Sequence, residues 1–170
     1  MDEMLTVNGK PYPLLGLLGK GKGGYSYLAL DGERQVVVKQ IHHEPCAYYT
    51  FGNKIEAERR DYQRLRSAGI RIPRMLDLDT VTERIVKEYI PGPVAAEILR
   101  CGGSVEEYLP QVREMSRLAE AAGLNIDYYP TNFVLREGLV WYIDYECNLY
   151  DPRWSFPVWG LPYWTGEASL

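Results

Sequence analysis

A lysine in the middle of a β-branched run is the strongest constraint that this chain places on its own fold. Gln35-Val36-Val37-Val38-Lys39-Gln40-Ile41 has the composition of a central strand with one charge embedded in it. Lys39 shares a strand face with Val37 and Ile41, because side chains alternate along an extended chain. An inward ammonium is costly unless a carboxylate meets it. The candidate lies on the helix predicted over Asn53 to Ser67, closed by Ala68-Gly69. Ile55, Tyr62 and Leu65 form its apolar stripe, and Glu58 fills the gap in that stripe. Pairing Lys39 with Glu58 resolves two inward charges at once, and it obliges a strand and a helix to pack together.

The residues ahead of Lys39 predict an antiparallel meander. Tyr12 to Leu18 is largely apolar, Gly19-Lys20-Gly21-Lys22-Gly23-Gly24 breaks it, and Tyr25 to Leu30 resumes. Asp31-Gly32 is a hairpin signal between two apolar runs. Gly19-x-Gly21-x-x-Gly24 would bind a dinucleotide only between a strand and a helix, with an acid about 20 residues further on. Here it lies between two strands. A glycine-rich turn of that kind lets backbone N–H groups approach a triphosphate without side-chain clash, the alternative being a merely flexible hairpin. Arg84 to Ile90 is a further strand, and Pro91-Gly92-Pro93 is the linker candidate, dividing the chain into residues 1–90 and 91–170.

Beyond the linker, a short helical stretch over Val94 to Leu99 ends at Gly102-Gly103. Ser104 with Glu107 forms a capping-box signature for a helix running to Ala122, with Leu109, Val112, Met115 and Leu118 inward. Pro110 delays or kinks its start. Leu124 to Thr131 is expected to be a polar and aromatic loop, followed by a hairpin of Phe133 to Leu135 with Leu139 to Ile143. From Asn148 onward Pro, Trp and Tyr dominate, and no amphipathic helix is expected. Asp127 and Asn132 stand five residues apart in the loop, and Asp144 follows Asn132 by twelve. The step of five and the strand end after it resemble the catalytic loop and metal-binding segment of kinases, in which the loop would present Asp127 to a substrate hydroxyl and Asn132 to a metal, while the hairpin returns Asp144 to that metal. Taken singly, each is also an ordinary solvated loop or turn residue.

Charge and cysteine usage narrow the class. Nineteen basic against 23 acidic residues give a net charge of −4, which argues against a nucleic-acid binder that works by broad phosphate neutralisation. No apolar run approaches the roughly 20 residues that span a bilayer. The acidic start, without an apolar core, is unlike a signal peptide. Cys46, Cys101 and Cys147 are scattered and lack a C-x-x-C pair, so they are expected as buried small hydrophobes. His42 and His43 are adjacent and point to opposite faces of an extended segment, a poor chelating pair. The expectation is a soluble cytoplasmic protein that binds neither nucleic acid nor membrane.

In order along the chain, the glycine-rich hairpin, strand lysine, inward helix glutamate, Asp127-x-x-x-x-Asn132 loop and strand-end Ile143-Asp144-Tyr145-Glu146 match the protein-kinase signature set. The sequence resembles the protein-kinase-like superfamily, close to small bacterial and atypical kinases of the RIO and aminoglycoside-phosphotransferase types, over about residues 14–146. The resemblance implies an α+β, two-lobed fold with a β-rich first lobe and a much reduced second lobe. It implies that Gly19, Gly21 and Gly24 cover the phosphates of ATP and that Lys39, held by Glu58, contacts them. By the same resemblance Asp127 is the catalytic base, Asn132 and Asp144 bind Mg²⁺, and Glu88 to Ile90 form the hinge that meets adenine. The chain departs from the family pattern at several places. Ser26 replaces the valine that roofs adenine, Lys87 stands where an apolar gatekeeper is usual, and Asn125 replaces the histidine of the catalytic loop. Glu146 replaces the glycine after D-F, and Tyr129 replaces the lysine that follows the catalytic aspartate, with Arg153 as a stand-in.

Only 24 residues follow Glu146, too few for the helices that seat a kinase's peptide substrate. Phe156 to Trp164 is expected as an aromatic strap packed on the helix of residues 104–122, the competing reading being an exposed docking patch for a protein partner. Two functions follow. One is a minimal ATP- and Mg²⁺-dependent phosphotransferase acting on a protein or small-molecule hydroxyl. The other is a nucleotide-binding pseudokinase, a scaffold or sensor without turnover.

Overall fold

A computed structural model describes residues 3–21, 23–43 and 53–170. The chain divides into two compact units, residues 1–59 with 73–89, and residues 60–72 with 90–170. Arg60–Ile72 therefore clusters with the later residues. Among the described residues no helix is long and apolar enough to cross a membrane.

The first unit is an antiparallel six-stranded sheet. Its strands are β1 (Met4–Val7), β2 (Lys10–Lys20), β3 (Gly24–Asp31), β4 (Arg34–Ile41), β5 (Met75–Asp79) and β6 (Arg84–Glu88). The order is β1-β2-β3-β4-β6-β5, with the meander at its centre. β1 and β5 were not anticipated. They are short and half-polar, and tertiary partners hold them. Asn8, at positive φ in the turn after β1, donates its backbone N–H to Asp79 (2.8 Å) and its side-chain amide to Asp77 (2.8 Å). These bonds tie the two ends of the sheet together and curl it. Val7, Tyr12, Ala29, Val36, Val38 and Val86 fill the inside of that curl. Val37 and Lys39 lie on the opposite face, as the strand alternation requires.

Helix α1 (Lys54–Ala68) starts at Asn53, whose side-chain oxygen accepts from the Glu56 N–H, and ends at Gly69 in the left-handed region (φ +86°). Its residues up to Arg59 belong to the first unit, and those from Arg60 to the second.

The second unit holds α2 (Ala95–Arg100), α3 (Leu109–Ala121), β7 (Leu124–Ile126), β8 (Phe133–Arg136), β9 (Leu139–Tyr142), β10 (Cys147–Leu149) and α4 (Leu161–Thr165). Several expectations are corrected here. The segment opening at Leu124 is a strand, because Leu124 to Ile126 pair with Leu149 to Cys147. Ser104 accepts from the Glu106 N–H and precedes a 3₁₀ turn, so the α-helix begins only at Leu109, with Pro110 in its first turn. The C-terminal stretch does contain helix. Phe156–Gly160 is a π-helical turn, and α4 continues it with Pro162 near its start and Gly166 (φ +83°) as its stop. Cys101 is exposed at the C-terminal cap of α2, whereas Cys147 is buried. Cys46 lies outside the described residues.

Pro91-Gly92-Pro93 is packed rather than slack. The backbone of Gly92 (φ +144°) lies so close to β8 that a Cβ there would come within 2.6 Å of the Leu135 carbonyl, and the Leu135 N–H donates to the Pro93 carbonyl (2.9 Å).

Candidate functional site

In the first unit, antiparallel register shows which groups share a face with Lys39. Ser26 and Ile85 are its cross-strand partners, and Gly19 is the partner of Ser26. In the next row Gly16, Leu28, Val37 and Lys87 are aligned. On a regular strand Gly16 and Gly19 would point to opposite faces. Register shifts between Leu14 and Gly16 and between Leu17 and Gly19 bring both glycines onto the Lys39 face. A Cβ added at Gly16, Gly19 or Gly21 would meet nothing within 4 Å, so the end of β2, two strands from Lys39, borders open space. Lys87, the unusual residue ahead of the hinge, is buried in the same face.

Lys39 donates to Glu58 Oε1, and both side chains are largely shielded. The glycine nearest this pair is Gly23, not one of those singled out by the spacing. A Cβ on Gly23 would stand 3.5 Å from Lys39 Nζ and 3.7 Å from Glu58 Oε1. Gly24 is a glycine for another reason. Its position opposite Ile41 would drive a Cβ to 2.3 Å from the Gln40 carbonyl, so strand pairing alone forbids a side chain there. Gly21 is held from both sides. Its N–H donates to the Gly24 carbonyl (2.9 Å), and its carbonyl contacts His42 Nε2 (3.0 Å). His43 reaches Glu83 instead (2.7 Å), so the two histidines serve different partners. At the expected hinge, the Glu88 N–H donates to the Arg74 carbonyl (2.9 Å), the Glu88 carboxylate accepts from the Arg74 N–H (3.1 Å), and Ile90 is buried in the second unit.

In the second unit, Asp127 follows β7 directly and is partly exposed. Its carboxylate accepts from the Tyr129 N–H (3.1 Å), and its carbonyl accepts from the Asn132 side-chain amide (3.3 Å). Asn132 closes a 3₁₀ turn, and its own carbonyl accepts from the Ile143 N–H (2.9 Å). The residue before Asp144 is thus bonded to Asn132. These bonds bring Asp127, Asn132 and the Asp144 segment together.

Tyr142 is the residue that sequence reasoning missed. It is fully buried, its hydroxyl accepts from the Asp127 N–H (3.1 Å) and donates to the Glu146 carbonyl (2.7 Å). Burial first, and then the nearby Asp144 charge, push its hydroxyl pKa well above the usual tyrosine range, so it stays protonated and able to donate. Its only sequence signal was a tyrosine at the end of an apolar strand. Asn125, in place of the catalytic-loop histidine, donates to the Asp151 carbonyl (2.8 Å). Arg153, the stand-in for the missing lysine, is itself paired. Its guanidinium is held by Asp151, two residues back, at 2.7 and 3.1 Å.

The aromatic segment anchors mainly on the loop that carries Asp127, with the long helix contributing Arg113 over the Phe156 ring. Trp164, 2% exposed, donates its indole N–H to the Tyr128 carbonyl (2.7 Å). Gly160 lies against Tyr128, where a Cβ would approach to 2.6 Å, and Tyr129 meets the rings of Trp159 and Tyr163. The segment is also partly exposed, at Trp154 and Val158.

Fold, strand register and charge pairing define a class, and comparison with known proteins supports it: the chain is similar to the protein-kinase-like superfamily, with an α+β fold. No protein-family model matches the sequence. It is similar to the KEOPS complex subunit Bud32 of Pyrococcus abyssi (strain GE5 / Orsay), with 31% identity over 136 residues. That match covers 75% of this chain and 61% of the Pyrococcus protein.

Proposed function

We propose that this protein is a minimal ATP- and Mg²⁺-dependent phosphotransferase, working in the cytoplasm on a hydroxyl acceptor. The observation that carries the reading is the shielded Lys39–Glu58 ion pair directly beside the side-chain-free Gly23, on the sheet face that Gly16 and Gly19 leave open at its β2 end. A scaffold or sensor has no chemical need for Asp127 in addition, so the bonded Asp127 and Asn132 set favours turnover over binding alone.

The residues fit the cofactors they would hold. Gly16, Gly19 and Gly21 leave room for a polyphosphate at backbone distance, and Lys39 supplies a fixed positive charge. Among the described residues no group of three or more His, Cys, Asp or Glu could cage a metal. An Asn amide oxygen with one Asp carboxylate is instead the oxygen donor set of an ion that keeps water and phosphate ligands, as Mg²⁺ does. Asn132 and Asp144 would hold that ion, whose chemistry is to neutralise charge on the phosphate oxygens. Lys39 neutralises the phosphates, and Glu58 keeps its ammonium in position. Asp127 accepts the proton of the attacking hydroxyl, with Tyr142 and the Asn132 amide fixing the loop around it. Glu88 to Ile90 meet the base through backbone groups. The Pyrococcus relative is a subunit of a complex, which supports a protein partner for this chain as well.

The test has two readouts. Mg²⁺-ATP at a hundred times its Kd is expected to stabilise the wild type by about 2.7 kcal/mol, seen as a rise in Tm, and Lys39→Met is expected to lose that rise. ATP consumption is expected to fall by about 10²–10⁴-fold in Asp127→Asn. Nucleotide binding without any Asp127-dependent turnover would overturn the phosphotransferase reading in favour of a binding protein. No stabilisation by nucleotide would overturn both.

A further inference from the structure

In the first unit, the glycine-rich turn is gripped by a side chain that the proposed function does not use. Cross-strand register puts Ser26 and Lys39 on one face of the sheet, and Tyr25 and Gln40 on the other. His42, just past the end of β4, belongs to the Tyr25 face, because the two rings meet with centroids 5.2 Å apart. From that side its Nε2 reaches the Gly21 carbonyl (3.0 Å). A carbonyl oxygen only accepts, so Nε2 carries the proton and donates it. The backbone of the same residue holds the turn a second time, since the His42 N–H donates to the Gly23 carbonyl (3.3 Å). His42 is in turn fixed from α1. Its carbonyl accepts from Lys54 Nζ (2.6 Å), and Lys54 is buried one helical turn before Glu58. One helix end therefore holds two residues of the same segment, Lys39 through Glu58 and His42 through Lys54.

The side from which Gly21 is held decides its electrostatics. A polyphosphate beside Lys39 would meet the backbone of the turn, where N–H groups attract it and carbonyl oxygens repel it. His42 draws the Gly21 carbonyl toward the face opposite Lys39 and satisfies it there. We infer that His42 is a positioning residue of the nucleotide site: by holding the Gly21 carbonyl on the Tyr25 face it keeps the turn in the form that receives phosphate, and so strengthens binding of the polyphosphate and not of the nucleoside. The inference rests on the nucleotide-binding part of the proposed function. His42 acts through the backbone of Gly21 and Gly23, and Lys54 acts through His42.

The test compares Mg²⁺-ATP with adenosine on the full chain, by titration calorimetry for Kd and by steady-state kinetics for KM and kcat. His42→Phe keeps a ring against Tyr25 but has no donor, whereas His42→Gln keeps an N–H donor of similar reach. His42→Phe is expected to raise the Kd and KM for Mg²⁺-ATP by about threefold to tenfold, the size of one lost hydrogen bond, and to lower kcat by less. Its adenosine Kd should stay at the wild-type value, which also shows that the variant is folded. His42→Gln should recover most of the lost ATP affinity. His42→Ala repeats the comparison with a smaller side chain should the phenylalanine variant not fold. Unchanged ATP affinity without the donor, an equal loss for ATP and adenosine, or no recovery in His42→Gln overturns the inference while the nucleotide-binding reading stands. A wild type that binds neither ligand overturns that reading and the inference with it. Selective loss of ATP affinity without Asp127-dependent turnover upholds the inference and overturns only phosphoryl transfer.

Discussion

At the scale of residues, Lys39 and Glu58 are separated by 19 positions, yet each was detectable because it sits where a charge should not. A lysine in a valine run and a glutamate in an apolar stripe both violate burial patterning, and one ion pair explains both. Tyr142 and Gly23 broke no rule, so nothing in the sequence marked them. The Tyr142 hydroxyl satisfies one donor and one acceptor in part-buried hydrogen bonds, and Tyr142→Phe removes both bonds. We expect a loss of about 1–3 kcal/mol in urea denaturation, together with lowered turnover from a loosened Asp127 loop. The two glycines beside the ion pair should respond differently to substitution. A Cβ at Gly23 makes ordinary contact, so Gly23→Ala should fold and bind nucleotide, whereas Gly23→Leu should push on Lys39 and weaken ATP binding. Gly24→Ala should fail at the level of folding, because its Cβ would collide with the Gln40 backbone; soluble yield and Tm would reveal it.

At the scale of elements, the second unit packs its C-terminal aromatics around one loop. The π-helical turn and α4 bury Phe156 and Trp164 against Tyr128 and Phe133, and the Trp164 indole caps the Tyr128 carbonyl, one residue from Asp127. Trp164→Phe keeps most of the packing and removes the hydrogen bond. It should lower kcat more than it raises the KM for ATP, with a stability loss of about 1–3 kcal/mol. The aromatic surplus was visible in the sequence, but its helical form was not. Turns of five residues begun by proline have no amphipathic period to detect. β7 and β10 were missed for a related reason, since three-residue strands exist only through each other. The thiols divide in the same way. Burial first, and then the adjacent Asp61 charge, push the Cys147 thiol up to about 12, while Cys101 is exposed. A thiol reagent at neutral pH should label Cys101 within minutes and Cys147 only after unfolding, as peptide mass mapping would show.

At the scale of the whole molecule, the chain consists of two units, and the curled sheet of the first depends on a clasp between its end strands. Backbone N–H groups of Asn8 and Thr82 donate to Asp79 and lower its carboxyl pKa from 3.8 to about 2. A depressed carboxyl contributes its stability above the unfolded pKa and loses it as pH falls through the folded one. The denaturant midpoint should therefore hold at neutral pH and fall between about pH 4 and pH 2, and Asp79→Asn should flatten that part of the profile. An unchanged acid limb in the variant would show that the clasp carries no pH-dependent stability. By itself the sequence determined the meander, the first helix, the Lys39–Glu58 pairing and the order of the kinase-like motifs. Each of these rests on local periodicity, turn chemistry or a misplaced charge, all of which are written in neighbouring residues. Only the tertiary structure decided that bulges turn Gly16 and Gly19 to one face, that Gly23 adjoins the ion pair, that Tyr142 braces the Asp127 loop and that the C-terminal aromatics clamp it. Those outcomes depend on register and on contacts between distant segments, and a side chain gives no local sign of the partner it will find there.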